Sequence, residues 1–179
     1  MVRFASLALV AALVAGPSVA LGKEEQALRA LGAVAFGSVE DTGYGATAIF
    51  NGGWEFDDVF SLEAQGGIGI TDNIGFGPTQ FFHGELLLPA KMTLCSSDSW
   101  ACPGSTFELE VLSGVGGARF EGRWAPHVVA GVALDSFRPV GPLEVGVRAA
   151  IFGYFDPMHA DQLITMMQIH LGVILRVGI

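Results

Sequence analysis

His170-Leu171-Gly172-Val173-Ile174-Leu175-Arg176-Val177 alternates strictly: Leu171, Val173, Leu175 and Val177 form an apolar face, and His170, Gly172, Ile174 and Arg176 a mixed one. Period-2 alternation is the signature of a strand with two unlike surroundings. Its order is polar, any, Gly, any, any, apolar, any, apolar, and the sequence ends two residues later at Ile179.

The same pattern runs upstream. Over 44–56 one face reads Tyr44, Ala46, Ala48, Phe50, Gly52, Trp54, Phe56, and the other Gly45, Thr47, Ile49, Asn51, Gly53, Glu55. Asp57-Asp58 makes a tight turn. Phe60, Leu62, Ala64, Gly66, Ile68 and Ile70 then alternate with Ser61, Glu63, Gln65, Gly67 and Gly69. Each segment reaches the ~9–11 residues with which a tilted strand crosses a bilayer. Further strands place Phe82, Leu86, Leu88 and Met92 against His83, Glu85, Leu87 and Lys91, with Pro89 suggesting a bulge. Phe107, Leu109 and Val111 alternate with Glu108 and Glu110; Val128, Ala130, Val132 and Leu134 with Val129, Gly131, Ala133 and Asp135; Leu143, Val145, Val147, Ala149 and Ile151 with Glu144, Gly146, Arg148 and Ala150. With the closing strand from Leu163 these make seven. The eighth, required by the even count of single-chain barrels, falls on the weaker alternation of 27–38, where Leu28, Ala30, Val34 and Phe36 oppose Arg29 and Leu31.

Composition agrees with a strand-built surface against lipid. Mean hydropathy is +0.50 and 51% of residues are hydrophobic, against 15% charged. The N-terminus reads as a secretory signal: Arg3, an apolar run from Phe4 to Gly16, and Ser18-Val19-Ala20 as a small-x-small cleavage site. Cleavage after Ala20 divides the chain into a signal at 1–20 and one barrel domain at 21–179; Ala20-Leu21-Gly22 also permits cleavage after Gly22. An uncleaved helix is the alternative, but the run is short for a span of ~20 residues. No Cys follows it to carry a lipid anchor, and no linker or appended module is visible. Without 1–20, Lys+Arg falls from 9 to 8 against 18 Asp+Glu. That balance argues against nucleic acid as a partner, since phosphate recognition needs a basic patch. No later segment approaches 18 apolar residues, which leaves a closed barrel, with its backbone paired internally, as the route into a bilayer.

The terminal stretch resembles the C-terminal strand by which the assembly machinery of Gram-negative outer membranes recognises its barrels. From about Ala27 to Ile179 the chain resembles the small eight-stranded outer-membrane barrels, the OmpA-domain, OmpX and OmpW-like group. It departs from them in ending on Ile179 rather than an aromatic residue. The resemblance implies an all-β, eight-stranded antiparallel up-and-down transmembrane barrel in the outer membrane, with membrane lipid and the assembly machinery as partners. A periplasmic start and end would put Asp57-Asp58, the Cys loop and 138–142 on the periplasmic side, and the loops near 38–43, 71–80, 118–126 and 156–162 outside.

Two rings of aromatics fit headgroup girdles: Trp54, Phe56 and Phe60 at one end; Phe76, Phe81, Phe82, Phe120, Trp124, Tyr154 and Phe155 towards the other. Phe is also common in any β core. Inward positions carry Glu55, Glu63, Glu85, Glu108, Glu110, Asp135 and Glu144, opposed by Lys91, Arg148 and Arg176, with His83 and His170 near in pattern. They read as a packed ion-pair network filling a narrow barrel, or as a charged pore; eight strands leave an interior about filled by side chains, which favours the first. Cys95 and Cys102 read as a disulfide closing a short loop in an oxidising compartment; a metal site with Asp98 between them is the weaker alternative. No cofactor is implied. Catalysis, of the lipid A deacylase or acyltransferase kind, would need a nucleophile beside His127 or beside His159 in Pro157-Met158-His159-Ala160-Asp161, and neither His has a Ser close by in sequence. The expected role is non-enzymatic: membrane integrity or surface interaction with a partner the sequence does not name. A passive conduit for small solutes is the competing role. A soluble lipocalin-like cup is the inverse of the same alternation, with the apolar faces turned inward.

Overall fold

The computed structural model describes residues 27–39, 44–73, 77–120, 123–155 and 166–178. The expected leader with its Ala20 cleavage site, the outer loops at 40–43 and 156–162, Phe76, the side chain of Phe120, His159 and Ile179 lie outside them.

The described residues form nine strand segments: β1 (Ala27–Val39), β2 (Tyr44–Glu55), β3 (Ser61–Asn73), β4 (Gly77–Leu87), β5 (Ala90–Cys95), β6 (Thr106–Phe120), β7 (Arg123–Val140), β8 (Leu143–Phe155) and β9 (Met166–Gly178). All pairings are antiparallel, each segment mainly with its sequence neighbour, and β1 pairs with β9 to close the wall. β4 and β5 both pair with β6 and occupy one strand position, so the barrel has eight. Following paired residues round the wall from Thr71, through Gly45, Gly37, Gln168, Phe152, Gly131 and Leu112, leads back to β3 at Ser61, a stagger of ten residues. Closure with such a stagger is what tilts barrel strands and removes sheet edges.

Pro89 does not make a bulge. Leu87↔Gly114 and Ala90↔Val111 continue one register across it. Pro89 has no N–H to give, and its carbonyl accepts from Ser61 N, where the β2–β3 turn ends and β3 begins, so the interruption costs no ladder bond towards β6. The register shift lies between Thr93 and Cys95 instead. The segments expected as loops at 71–80 and 118–126 are largely strand: β3 runs to Asn73, β4 starts at Gly77, β6 reaches Phe120 and β7 starts at Arg123. Gly, Pro and polar residues there read as turn chemistry, but in a closed barrel each wall position is held by two neighbours, which overrides local preference.

The apolar faces expected to point outward do so. Phe50, Ile68, Val115, Val147, Leu171 and Val173 stand more than half exposed on the outside. Arg29, Thr47, Glu63, His83, Glu110, Asp135, Arg148 and His170 are buried inside. At the end bearing residues 27 and 178, Asp57 caps the β2–β3 turn by accepting from Val59 N at 2.7 Å and Phe60 N at 2.6 Å. Those donors, Phe60 first, hold its carboxyl below the ordinary carboxylate range.

Candidate functional site: the barrel interior

The interior divides into a charged layer towards the end bearing the chain's described termini and a histidine-rich layer above it. In the first, Arg29 on β1 and Arg148 on β8 share the carboxylates of Glu63, Glu110 and Asp135. Arg29 Nη2 donates to Asp135 Oδ2 at 2.6 Å and Nη1 donates to Glu110. Arg148 grips Asp135 in a fork, Nε to Oδ1 at 2.8 Å and Nη2 to Oδ2 at 2.7 Å, and Nη2 also reaches Glu110 Oε2 at 2.5 Å. Asn51 Nδ2 donates to Glu63 Oε2 at 2.6 Å. Closer to the mouth, Arg176 bridges Glu55 (3.1 Å), Glu108 (2.6 Å) and Glu144 (2.9 Å), and Lys91 Nζ lies 3.1 Å from Glu55. The Phe137 ring lies beneath Arg176, 4.0 Å from guanidinium carbon to ring centroid.

Two features decide what this layer does. Every strand position contributes a charge: Arg29, Glu55, Glu63, Lys91, Glu108 and Glu110, Asp135, Glu144 and Arg148, and Arg176. The bonds therefore run across the lumen from wall to wall. Planar guanidinium forks, each serving several carboxylates, make the arrangement geometrically specific and tolerable when buried.

The second layer is built on Glu85. Its Oε1 lies 2.6 Å from His83 Nδ1 and 3.0 Å from His127 Nε2, and its Oε2 accepts from Gln65 Nε2 at 3.2 Å. Tyr154 stands edge-on to both imidazoles, with centroids 5.9 Å and 5.1 Å away. Its hydroxyl donates to Gln168, which is also bonded to His170, and the His170 ring lies against Phe152. Leu87, Leu112, Val129, Ala133 and Ala150 fill the space between the layers.

Sequence reasoning and structure part company at several residues. Glu85 and His170 were expected in one network with Lys91, Arg148 and Arg176, but they belong to the upper layer, where histidine and amides replace arginine as partners. Phe81 and Tyr154, expected at a rim, are buried inside the barrel. Each lies in the inward phase of its strand, with His83 and Glu85 on β4 and with Phe152 and Ala150 on β8, so alternation rather than aromatic character had the information. Arg29 is the charge the sequence undervalued: it stands in the weakest strand, yet in phase with inward Leu31, Ala33 and Ala35. His127 also faces inward. Among the girdle candidates, Phe56, Phe60, Phe82 and Trp124 are exposed, and Trp54 and Phe155 half-buried.

Cys95 and Cys102 form a disulfide. It ties a loop already shaped by Ser99 N to Ser96 O, Cys102 N to Ser99 O and Gly104 N to Ser97 O bonds, each 3.0–3.1 Å. Gly104 sits at φ +70°, where a residue with a β-carbon would be strained. Replacing both cysteines by serine should leave the barrel intact. The stability loss is expected at about 2 kcal/mol, the scale for freeing so short a loop. Urea titration by tryptophan emission checks this.

Among the described residues no Ser or Cys side chain is bonded to His83, His127 or His170; their partners are Glu85 and Gln168. Nor do the described residues gather three or more His, Cys, Asp or Glu side chains able to hold a metal.

No protein-family model and no curated protein matches the chain. Among solved structures, the crystal structure of Neisserial surface protein A matches over 86% of this chain and 97% of that one, with a TM-score of 0.59 at 13% identity. At that identity the likeness is one of fold. The eight-stranded antiparallel barrel of the small outer-membrane proteins, expected from the sequence, is the fold found.

Proposed function

We propose that the chain is a non-enzymatic outer-membrane barrel, closed to solutes, whose role is structural and interactive. The outward apolar belt supports the membrane placement: a soluble barrel of this size would expose Phe50, Ile68, Val115, Val147 and Leu171 to water on adjoining strands, a far larger patch than soluble monomers carry. Alternation in sequence leaves the inverse cup open, and the apolar side chains on the outer face favour the lipid-facing barrel over it. The observation that carries the closed state is the wall-to-wall ion-pair layer. A conduit would need a continuous wet path, and every strand position sends a charge across it.

Single-channel recording in planar bilayers tests this. The folded barrel should give no sustained conductance steps. Regular, long-lived steps at low voltage would replace the closed reading with the conduit.

A further inference from the structure

The outward wall is unevenly covered. On β3, β4 and β6 three outward glycines stand side by side in register, Gly66↔Gly84 and Gly84↔Gly117. One outward position further from the end bearing the chain's described termini, the same strands carry Ile68, Phe82 and Arg119, again paired in one row. Phe50, Ile68 and Phe82 are exposed and stand round a floor of small residues, Gly52, Ala64 and Gly66. The groove encloses about 550 Å³, within the range of roughly 300–1,000 Å³ for small-molecule sites. Trp124 covers Gly117, its ring 3.6 Å from where a β-carbon would stand. A second outward groove, of about 400 Å³, lies over Ser136 and Ala149 between Leu134, Val147 and Leu171. No cation faces that one: Arg148, in the same stretch, turns inward to Asp135.

We propose that the first groove holds an acyl chain of an anionic, phosphate-bearing membrane lipid whose phosphate sits on Arg119. Charge complementarity picks this occupant. Arg29, Lys91, Arg148 and Arg176 are engaged with carboxylates inside, and Arg138 is bonded to Ser105 at the other end. Among the described side chains Arg119 is the one cation on the outward face towards its own end, and it is exposed. It pairs in register with Phe82 of the groove on one side and with Trp124 on the other. A guanidinium matches phosphate in geometry and charge, and Trp suits the headgroup level. A second copy fits worse: a convex barrel would meet Phe50, Ile68 and Phe82 before it reached the floor, whereas a single acyl chain passes between them. The inference rests on the membrane placement proposed above and does not depend on the absence of conductance.

The detergent-folded barrel is titrated with phosphatidylglycerol or phosphatidylcholine of the same acyl chains, and retained lipid is read by native mass spectrometry. Phosphatidylglycerol should be retained about tenfold more tightly than phosphatidylcholine, the scale of a hydrogen bond to a charged group. Arg119→Gln should bring phosphatidylglycerol down to the phosphatidylcholine level. Gly66→Leu should weaken both lipids by filling the groove. It leaves the wall unstrained, since its β-carbon would stand 3.8 Å from the nearest atom, the His83 carbonyl oxygen. Ala149→Leu, in the second groove, should change neither lipid. No retained lipid overturns the inference, as does a preference that survives Arg119→Gln or a retention that survives Gly66→Leu. Dimers that form with concentration and vanish in Gly66→Leu would give the groove to a second copy and overturn it equally. A chain that folds and stays soluble without detergent would overturn the membrane placement and this inference together; a barrel that needs detergent and retains no lipid overturns the inference alone.

Discussion

Arg148→Met should destabilise the folded barrel by about 3–5 kcal/mol, the scale for removing one partner from a buried charge group. The loss follows from what remains. Glu63, Glu110 and Asp135 are almost fully buried, and Arg29 alone would have to serve all three while also facing Glu55. Met fills much of the arginine's volume, so the cost reads charge and not a cavity. Combining Arg148→Met with Asp135→Asn should recover part of it, because the fork partner left without its guanidinium is then neutral. A double-mutant cycle on the urea midpoint separates the coupling from the single effects. Asp58→Asn, an exposed change, should stay within about 0.5 kcal/mol of the parent. Equal tolerance of Arg148→Met and Asp58→Asn would mean that the interior charges are wet and independent.

Gly172→Val should abolish folding or come close to it. A β-carbon at Gly172 would lie 2.6 Å from both the Ala33 β-carbon and the Gly32 carbonyl oxygen, and 2.9 Å from Ala33 Cα. These are backbone atoms or atoms fixed to the backbone, so no rotamer relieves the clash. Overpacking of a yielding core costs about 1–3 kcal/mol; this contact cannot yield, and it sits in the β1–β9 seam that closes the wall. A seam forced open leaves two free sheet edges, which aggregate. Gly32→Val is the control. Gly32 is a neighbour in the same seam, but the space beyond it is open, so the substitution should be accepted. The fraction of chain reaching the folded gel form checks both.

These two sites also show what was legible in the sequence. The alternation that exposes Leu171 and Val173 and turns Gly172 and Arg176 inward sufficed for strand and barrel; which face looks outward rested on the low charge content, the aromatic rims and the terminal strand. It placed Arg148, Glu63, Glu110 and Asp135 inside because each falls in the inward phase of a long, clean strand. Partners were beyond it. Which carboxylate meets which guanidinium depends on the ten-residue stagger, which period-2 patterning leaves free. Hence Glu85 and His170 were grouped with arginines that the stagger sets in another layer, and Arg29, in a strand with small and weakly contrasted residues, was passed over. Pro89 misled for a related reason. Its missing N–H matters only on the side where a neighbour needs it, and at that height β3 is giving way to its turn.

Gel mobility of the chain folded in detergent micelles, boiled against unboiled and with circular dichroism alongside, tests most directly whether the closed barrel turns its apolar outer face to lipid. The expected result is a β-rich spectrum and a faster-migrating unboiled form that boiling converts to the slower, unfolded one. A β-rich protein that stays soluble without detergent and migrates identically before and after boiling would contradict it.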